Sequence, residues 1–451
     1  MVADPGPGAN AGSESGLAQA AQALRAHERA RRLLTGLKVA VLTVGALLLL
    51  AEVGLRVCGH RRRSFEASVN RTNQRWVALT RAGIFEEIDD PVRRYAMRPF
   101  AEVRIDSWTF RVSAHRTRGA DFPREKPPSE RRLLCLGDSF SFGLWCDEDE
   151  TLVGHLARLA NQREEELGSG RTWRAVNLGV PGYQAGQSLR ALEQDGLPLD
   201  PDVVVYYFNS NDIEEEGFFF DEDLGCLRRD FLPLPVRLER LLWHSHVYGW
   251  IASRYRSAAE RVPSPQFDPR VPYAFVRPDN QAATARSIAR MAQLCSSRGI
   301  PFFFVDQPLL TWQGDAQRTD WIGAELVRWA EGVRQELALP GVSLLGLWRG
   351  WSDGVDRMEG LAPGATPPPY DFLLDSFCAD ERIQAAVAFA RAEARKSGAE
   401  WDALSYEEKK RFVAPYPGEM PAEPDFHLTG AGYAAIARVV YPRMREAGML
   451  P

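Results

Sequence analysis

The chain has 451 residues, of which 45% are hydrophobic and 10% aromatic, enough for one large or two ordinary domains with a real core and too apolar for a disordered protein. Its net charge of −5 gives none of the basic excess that a nucleic-acid binder shows, so nucleic acid is not expected as a partner. Six cysteines form no C-x-x-C pair, and the close pair His244 and His246 lacks further ligands at metal-site spacing.

Residues 1–24 are rich in Gly, Ala and Ser, with only a weak Ala repeat, and together with the approach to residue 32 they read as a flexible tail. From Leu33 to Val57 runs LLTGLKVAVLTVGALLLLAEVGLRV, whose only charges are Lys38, Glu52 and Arg56. That is enough for one membrane helix, with Lys38 and Arg56 near the ends where long side chains reach the interface. A cleaved signal peptide would need small residues at an A-x-A-like site, which AEVGLRVC does not offer, and Arg56 and Val57 stand before Cys58 where lipoprotein processing expects small residues. An uncleaved single-pass anchor at 33–57 is the expectation. Basic residues flank both ends, Arg25 to Lys38 on one side and Arg56 with Arg61 to Arg63 on the other, and a cytoplasmic N-terminus with an extracytoplasmic domain is the favoured orientation.

Residues 58–130 carry alternating patches such as AEVRIDSWTFRV and the Pro-rich DFPREKPPSE, and read as a small β-rich extension plus linker. Strands then alternate with helices. The strands are RLLCL (132–136), WRAVN (173–177), VVVYYF (203–208), FFFV (302–305) and VSLLGL (342–347). Helical patterns cover Thr151 to Glu166, 281–298, 319–337 and the stretch after Gly430. Continuous apolar strands separated by helices predict an α/β fold, a parallel sheet covered on both faces. Two long stretches, 213–280 and 353–424, break the alternation after strands, where loops of such sheets build a binding face.

Four short stretches carry chemistry. LCLGDSFSFG (134–143) ends an apolar run in Gly-Asp-Ser, which would deliver Ser139 to the ligand crevice at the carboxyl ends of the strands; taken alone, a plain turn with Ser139 as helix cap is the preferred reading. VNLGVPGYQ (176–184) places Gly182, whose N–H can donate to an oxyanion, in another strand-end loop, although a turn accounts for its glycines too. YYFNSNDI (206–213) offers the Asn211 side chain as a donor and Asp212 as a tie to backbone amides; Asn and Asp also simply stop strands. PDFHLTGAGY (424–433) sets Asp425 beside His427, an imidazole–carboxylate pair suited to activating a hydroxyl, against an incidental histidine at a helix cap.

Each stretch alone is weak, but together they supply nucleophile, base, orienter and oxyanion donors. The ordered set resembles the SGNH, or GDSL-type, esterase and lipase family, and the apolar segment ahead of it resembles the membrane-anchored bacterial form. The resemblance covers roughly residues 131–447. It implies a flavodoxin-like three-layer sandwich with a mostly parallel five-stranded sheet, Ser139 as nucleophile, His427 as base oriented by Asp425, and an oxyanion hole of Ser139, Gly182 and Asn211, with no metal or organic cofactor. Two departures stand out. The family usually writes D-x-x-H where this chain has Pro424 followed by Asp425, a D-x-H form, and G-x-N-D where this chain has Asn209 and Ser210 before Asn211. No G-x-S-x-G motif supports the other common hydrolase elbow.

The expected activity is hydrolysis of O-acyl esters on carbohydrate or lipid-like molecules, with a small-molecule or glycan ester as substrate. Transfer of the acyl group to an envelope polysaccharide would use the same motifs, and a non-catalytic glycan-binding scaffold would retain only the fold. Among the cysteines, Cys135 is expected as a buried free thiol, and Cys146 and Cys226, both in loops after strands, as a pair that an exported domain can oxidise.

Overall fold

The structure is a computed structural model; it describes residues 11–59, 74–213, 277–307, 324–344, 381–404, 406–418 and 427–451, and shorter pieces at 218–221, 226–229, 310–313, 318–321 and within 238–251. The chain divides into two compact units. One joins residues 1–62 to 234–255; the other holds 63–233 and 256–451.

The first unit is built on α1 (Ala11–Val57), a continuous helix of 47 residues. Residues 11–32, expected as an unfolded tail, are helical. The physical reason is AQAAQALRAHERARR, made almost wholly of strong helix formers and joined to an apolar helix that removes the cost of nucleation. The part from Ala30 to Val57 is long and apolar enough to cross a membrane, and none of its apolar window is buried. Its 28 residues span about 42 Å, against about 30 Å for a hydrocarbon core.

The second unit begins with α2 (Gln74–Arg81) and two antiparallel hairpins, β1 (Phe85–Glu87) with β2 (Tyr95–Met97) and β3 (Glu102–Ile105) with β4 (Trp108–Arg111). These residues are not a separate body. Phe85, Tyr95, Met97 and Phe110 are fully buried in the same core that lines one face of the main sheet.

That sheet contains β5 (Glu130–Gly137), β6 (Thr172–Asn177), β7 (Val203–Asn209), β10 (Phe302–Gln307) and β13 (Gly341–Ser343) in the order β13-β10-β7-β5-β6, every pair parallel, while β8 (Phe218–Asp221) and β9 (Cys226–Arg229) form a separate antiparallel pair. Period-two alternation sends Leu134, Leu136, Val204, Tyr206 and Phe304 to one face, against α5 (Ala185–Ala191), α6 (Pro278–Ser296) and α7 (Ala324–Glu336). Leu133, Cys135, Val205, Tyr207 and Phe303 point to the other, under α4 (Leu152–Leu167), α8 (Glu381–Lys396) and α10 (Gly430–Glu446). The result is the expected three-layer α/β sandwich. Because the chain steps from β5 to β6 on one side and then to β7 on the other, the order reverses beside β5, and in open sheets a crevice forms at the carboxyl ends there.

Two local expectations need correction. Arg318–Trp321, assigned to the start of a helix, is β12, paired antiparallel with β11 (Leu310–Gln313); Thr319 and Trp321 favour extended backbone, and α7 starts only at Ala324. A Cys146–Cys226 pair does not form. Cys146 is fully buried as a free thiol with its Sγ donating to the Gly143 carbonyl at 3.3 Å, so the residue belongs to the core rather than to an accessible loop. Cys135 is a buried free thiol as expected, its pKa pushed up to about 12 by burial. Of the strand expected at 342–347, residues 345–347 lie outside the described residues, as does most of the 353–424 stretch up to residue 380.

Candidate active site

β5 ends at Gly137, which has φ +137°, and a Cβ there would run into the Tyr207 carbonyl and the Ser141 hydroxyl, so only glycine lets the chain turn out of the sheet at this point. Asp138 then caps the short helix α3 (Ser139–Phe142): its Oδ1 accepts the Phe140 N–H at 2.9 Å. Ser139, only 8% exposed, is the first residue of that turn. Its Oγ lies 2.8 Å from His427 Nε2 and 3.3 Å from Asp138 Oδ2. The Ser139 hydroxyl can donate to the Asp138 carboxyl, and which group donates across the shorter contact is set by the imidazole tautomer.

His427 approaches from the far end of the sequence, two residues ahead of Thr429, whose Oγ1 caps α10 by accepting the Gly432 N–H. Its ring stacks on Phe140 at a centroid distance of 5.0 Å, and the buried Tyr433 donates its hydroxyl to the Phe140 carbonyl at 2.8 Å. Asp425 lies outside the described residues.

The loop after β6 is fitted against the serine turn. Asn177 Nδ2 donates to the carbonyls of Ser141 and Phe142 at 2.9 and 3.2 Å, while its Oδ1 accepts the Gly179 N–H at 3.0 Å. Gly179 sits so close that a Cβ would lie 2.7 Å from the Ser141 carbonyl carbon. Gly182 has φ +81°, and its neighbours are held by the hairpin residues: Tyr95 Oη donates to the Pro181 carbonyl at 2.8 Å, and Tyr183 Oη donates back to the Tyr95 carbonyl. Arg93 Nε donates to Tyr183 Oη at 3.0 Å, and its guanidinium pairs with Asp195 at 2.7 Å. Arg118, 4% exposed, closes the other side by donating to the carbonyls of Phe142, Gly143 and Cys146.

The loop after β7 is fastened through carboxyl groups. Asn211 Nδ2 donates to Asp138 Oδ2 at 2.9 Å, which brings the third stretch directly to the residue preceding the serine. Asp212 Oδ2 accepts from Tyr206 Oη at 3.1 Å and from the Asn209 N–H at 3.3 Å, the backbone tie expected of it. Burial raises the pKa of both acids, that of Asp212 strongly, with the neighbouring Asp138 charge adding to it. Asp138, Tyr95 and Arg118 were not singled out in the sequence. The first has a signal, as the acid adjoining Ser139; the other two sit in short strands and loops with no pattern that marks them.

Residues 135–354 match the family of GDSL-like lipases/acylhydrolases. This part of the chain is a GDSL-type hydrolase domain. The protein is therefore an enzyme acting on ester bonds. No curated protein sequence matches the chain significantly. Among solved structures, the chain is similar to the acetyl xylan esterase AlAXEase (10% identity, 70% of this chain and 98% of that one, TM-score 0.30) and to AlinE4, an SGNH-hydrolase family esterase (14%, 61% and 100%, TM-score 0.27). A lipase/acylhydrolase from Enterococcus faecalis overlaps at 16% identity, 52% of this chain and 86% of that one, TM-score 0.28.

Proposed function

We propose that the enzyme is a serine esterase in which Ser139 attacks the ester carbonyl, His427 takes its proton and later gives it to the leaving alcohol, and Asp425 orients the imidazole. The observation that carries this reading is the 2.8 Å contact between Ser139 Oγ and His427 Nε2, 288 residues apart in sequence. The oxyanion donors are the N–H groups of Ser139 and Gly182 and the Asn211 side chain. An amide nitrogen carries two hydrogens; with one on Asp138, the other is turned to the developing charge. The near-burial of Ser139 favours a small acyl group, and an O-acyl ester on a carbohydrate or lipid-like molecule is the substrate class proposed. The apolar helix Ala30–Val57 is read as a single-pass anchor that holds the GDSL domain on the extracytoplasmic side.

Two measurements test this. Purified protein from Ser64 onward is given p-nitrophenyl acetate with and without an oligosaccharide acceptor: release of acetate supports the esterase, acyl-oligosaccharide product replaces it with an acyltransferase, and silence leaves a binding scaffold. Full-length protein resisting carbonate extraction supports the anchor; its recovery in the soluble fraction removes it.

A further inference from the structure

Glu52 is the one acid in the apolar stretch Leu33–Val57, and a carboxylate in a membrane-spanning helix is costly unless it is paired. Its partners lie in the stretch inserted between β7 and α6. Oε2 accepts from Ser245 Oγ at 2.9 Å and from the Val247 N–H at 3.0 Å, and Oε1 accepts from the His246 N–H at 2.9 Å and from Arg56 Nε at 2.8 Å. Ser245 Oγ in turn accepts the Tyr248 N–H at 3.1 Å. The first three N–H groups of the helical residues 246–251 are thereby satisfied without water, as backbone must be where it meets lipid.

The segments on this latch turn apolar side chains outward. Leu238 and Leu241, the latter 76% exposed, lie in helical positions before Ser245, and Trp250 and Ile251 are exposed after it. The anchor residues on either side of Glu52, Leu48 to Leu50 and Val53, are exposed in the same unit. Glu52 is five residues from Val57, about 7.5 Å along the helix axis, which sets the latch near one end of the span. Tryptophan, tyrosine and arginine concentrate at that depth, and the inserted sequence LERLLWHSHVYGWIASRYR has this composition. Whatever solvates the anchor around Glu52 also solvates these side chains.

We infer that the inserted segment bearing Leu238, Leu241 and Ser245–Ile251 is a second membrane contact, an interfacial element latched to the anchor helix by Glu52 and seated in the lipid headgroup–acyl boundary. This rests on the anchor reading of Ala30–Val57.

The test uses the full-length chain in phosphatidylcholine vesicles. In a Cys58→Ser background, an NBD label is placed through Leu241→Cys, Trp250→Cys or, as anchor control, Leu48→Cys, and the labelling of the parent chain is subtracted. Doxyl-phosphatidylcholine is expected to quench all three positions at least twofold. Adding Glu52→Ala is expected to halve quenching at 241 and 250 while leaving 48 unchanged, and Glu52→Gln, which keeps an acceptor, to restore part of it; retained p-nitrophenyl acetate turnover reports that each variant is folded. Water-like, unquenched emission at 241 and 250 with quenching at 48 overturns the second contact and spares the anchor. Quenching at 250 that ignores Glu52→Ala overturns the latch. Absence of quenching at all three, with protein that fails to float with the vesicles, removes the anchor itself.

Discussion

The loops after β6 and β7 lie on opposite sides of β5, and each carries one of the proposed oxyanion donors, yet they are fastened by different chemistry. The Gly182 loop is clamped on backbone carbonyls by the Tyr95 and Tyr183 hydroxyls and the Asn177 amide, with Arg93 donating to the Tyr183 hydroxyl; Tyr95 and Arg93 come from the hairpin residues that precede the sheet in sequence. The Asn211 loop is held by two buried carboxyl groups, Asp138 and Asp212. The hydroxyl clamp holds no group that changes charge in the working range, since burial keeps the Tyr95 phenol well above its ordinary pKa. The carboxyl side carries pKa values raised by burial.

In the proposed mechanism both loops serve Ser139, so the largest effect is expected from removing it. Ser139→Ala and His427→Ala are each expected to reduce turnover of p-nitrophenyl acetate to the residual that oxyanion donors and binding supply, on the order of 10³ to 10⁴ over water. Asp425→Asn is expected to leave more activity than either, because in the proposed mechanism an orienting carboxylate does not itself accept the serine proton. Full activity in His427→Ala would move the base elsewhere, and His115, His155, His244 and His246 would then be substituted in turn.

The carboxyl-held side comes next. Asn211→Ala removes one donor and is expected to lower kcat by roughly 10²-fold or more. Asp138→Asn keeps an oxygen for the Phe140 N–H but sets two amide donors face to face at Asn211, and a loss of roughly 10- to 100-fold in kcat is expected. If the two act as a unit, the double variant loses no more than the worse single one; additive losses would separate Asp138 from the oxyanion side.

What could be read in the sequence follows from the range of the interactions. The five strands were legible because each is a continuous apolar run, and Ser139 and His427 because the motifs that hold them are local. The Tyr95 clamp joins residues 86 apart, the Asp138–Asn211 bond 73 apart and the Glu52 latch 193 apart, and none leaves a local pattern. Cys146 was misjudged for the same reason: a loop position says nothing of the aromatic and aliphatic groups that bury it. The helix over 11–32 was hidden by composition, since alanine is common in tails and is also the best helix former.

Asp306 extends the carboxyl-held side into β10, where it pairs with β7. It is 2% exposed, accepts from Ser343 Oγ at 3.0 Å, and is raised to about 7, first by burial and then by the nearby Glu331 charge. The folded state therefore keeps a proton that the unfolded chain releases near its ordinary value, so stability falls as pH rises from about 4 to about 7 and is level above that. Asp306→Asn is expected to remove this loss, raising stability at pH 8 by on the order of 2 to 4 kcal/mol relative to its effect at pH 4. Urea midpoints that change equally with pH in both proteins would show that Asp306 does not hold its proton.

The smallest effect tests the hydroxyl clamp. Tyr95→Phe keeps the ring, which packs edge-on against Phe85 and Tyr183 at 5.7 and 5.1 Å, and deletes only the donor to the Pro181 carbonyl. Losing one neutral hydrogen bond of about 1 kcal/mol is expected to lower kcat about fivefold if that carbonyl sets the direction of the Gly182 N–H. KM should stay constant, because the bond acts on the oxyanion donor and not on the bound ester. The pH–rate profile should keep its shape, since no titrating group has been touched, whereas Asp138→Asn is expected to alter its acid limb. A Tyr95→Phe enzyme with unchanged kcat but lower thermal stability would make the hairpins a structural brace alone, and a shifted profile would show that the two loops are not held independently.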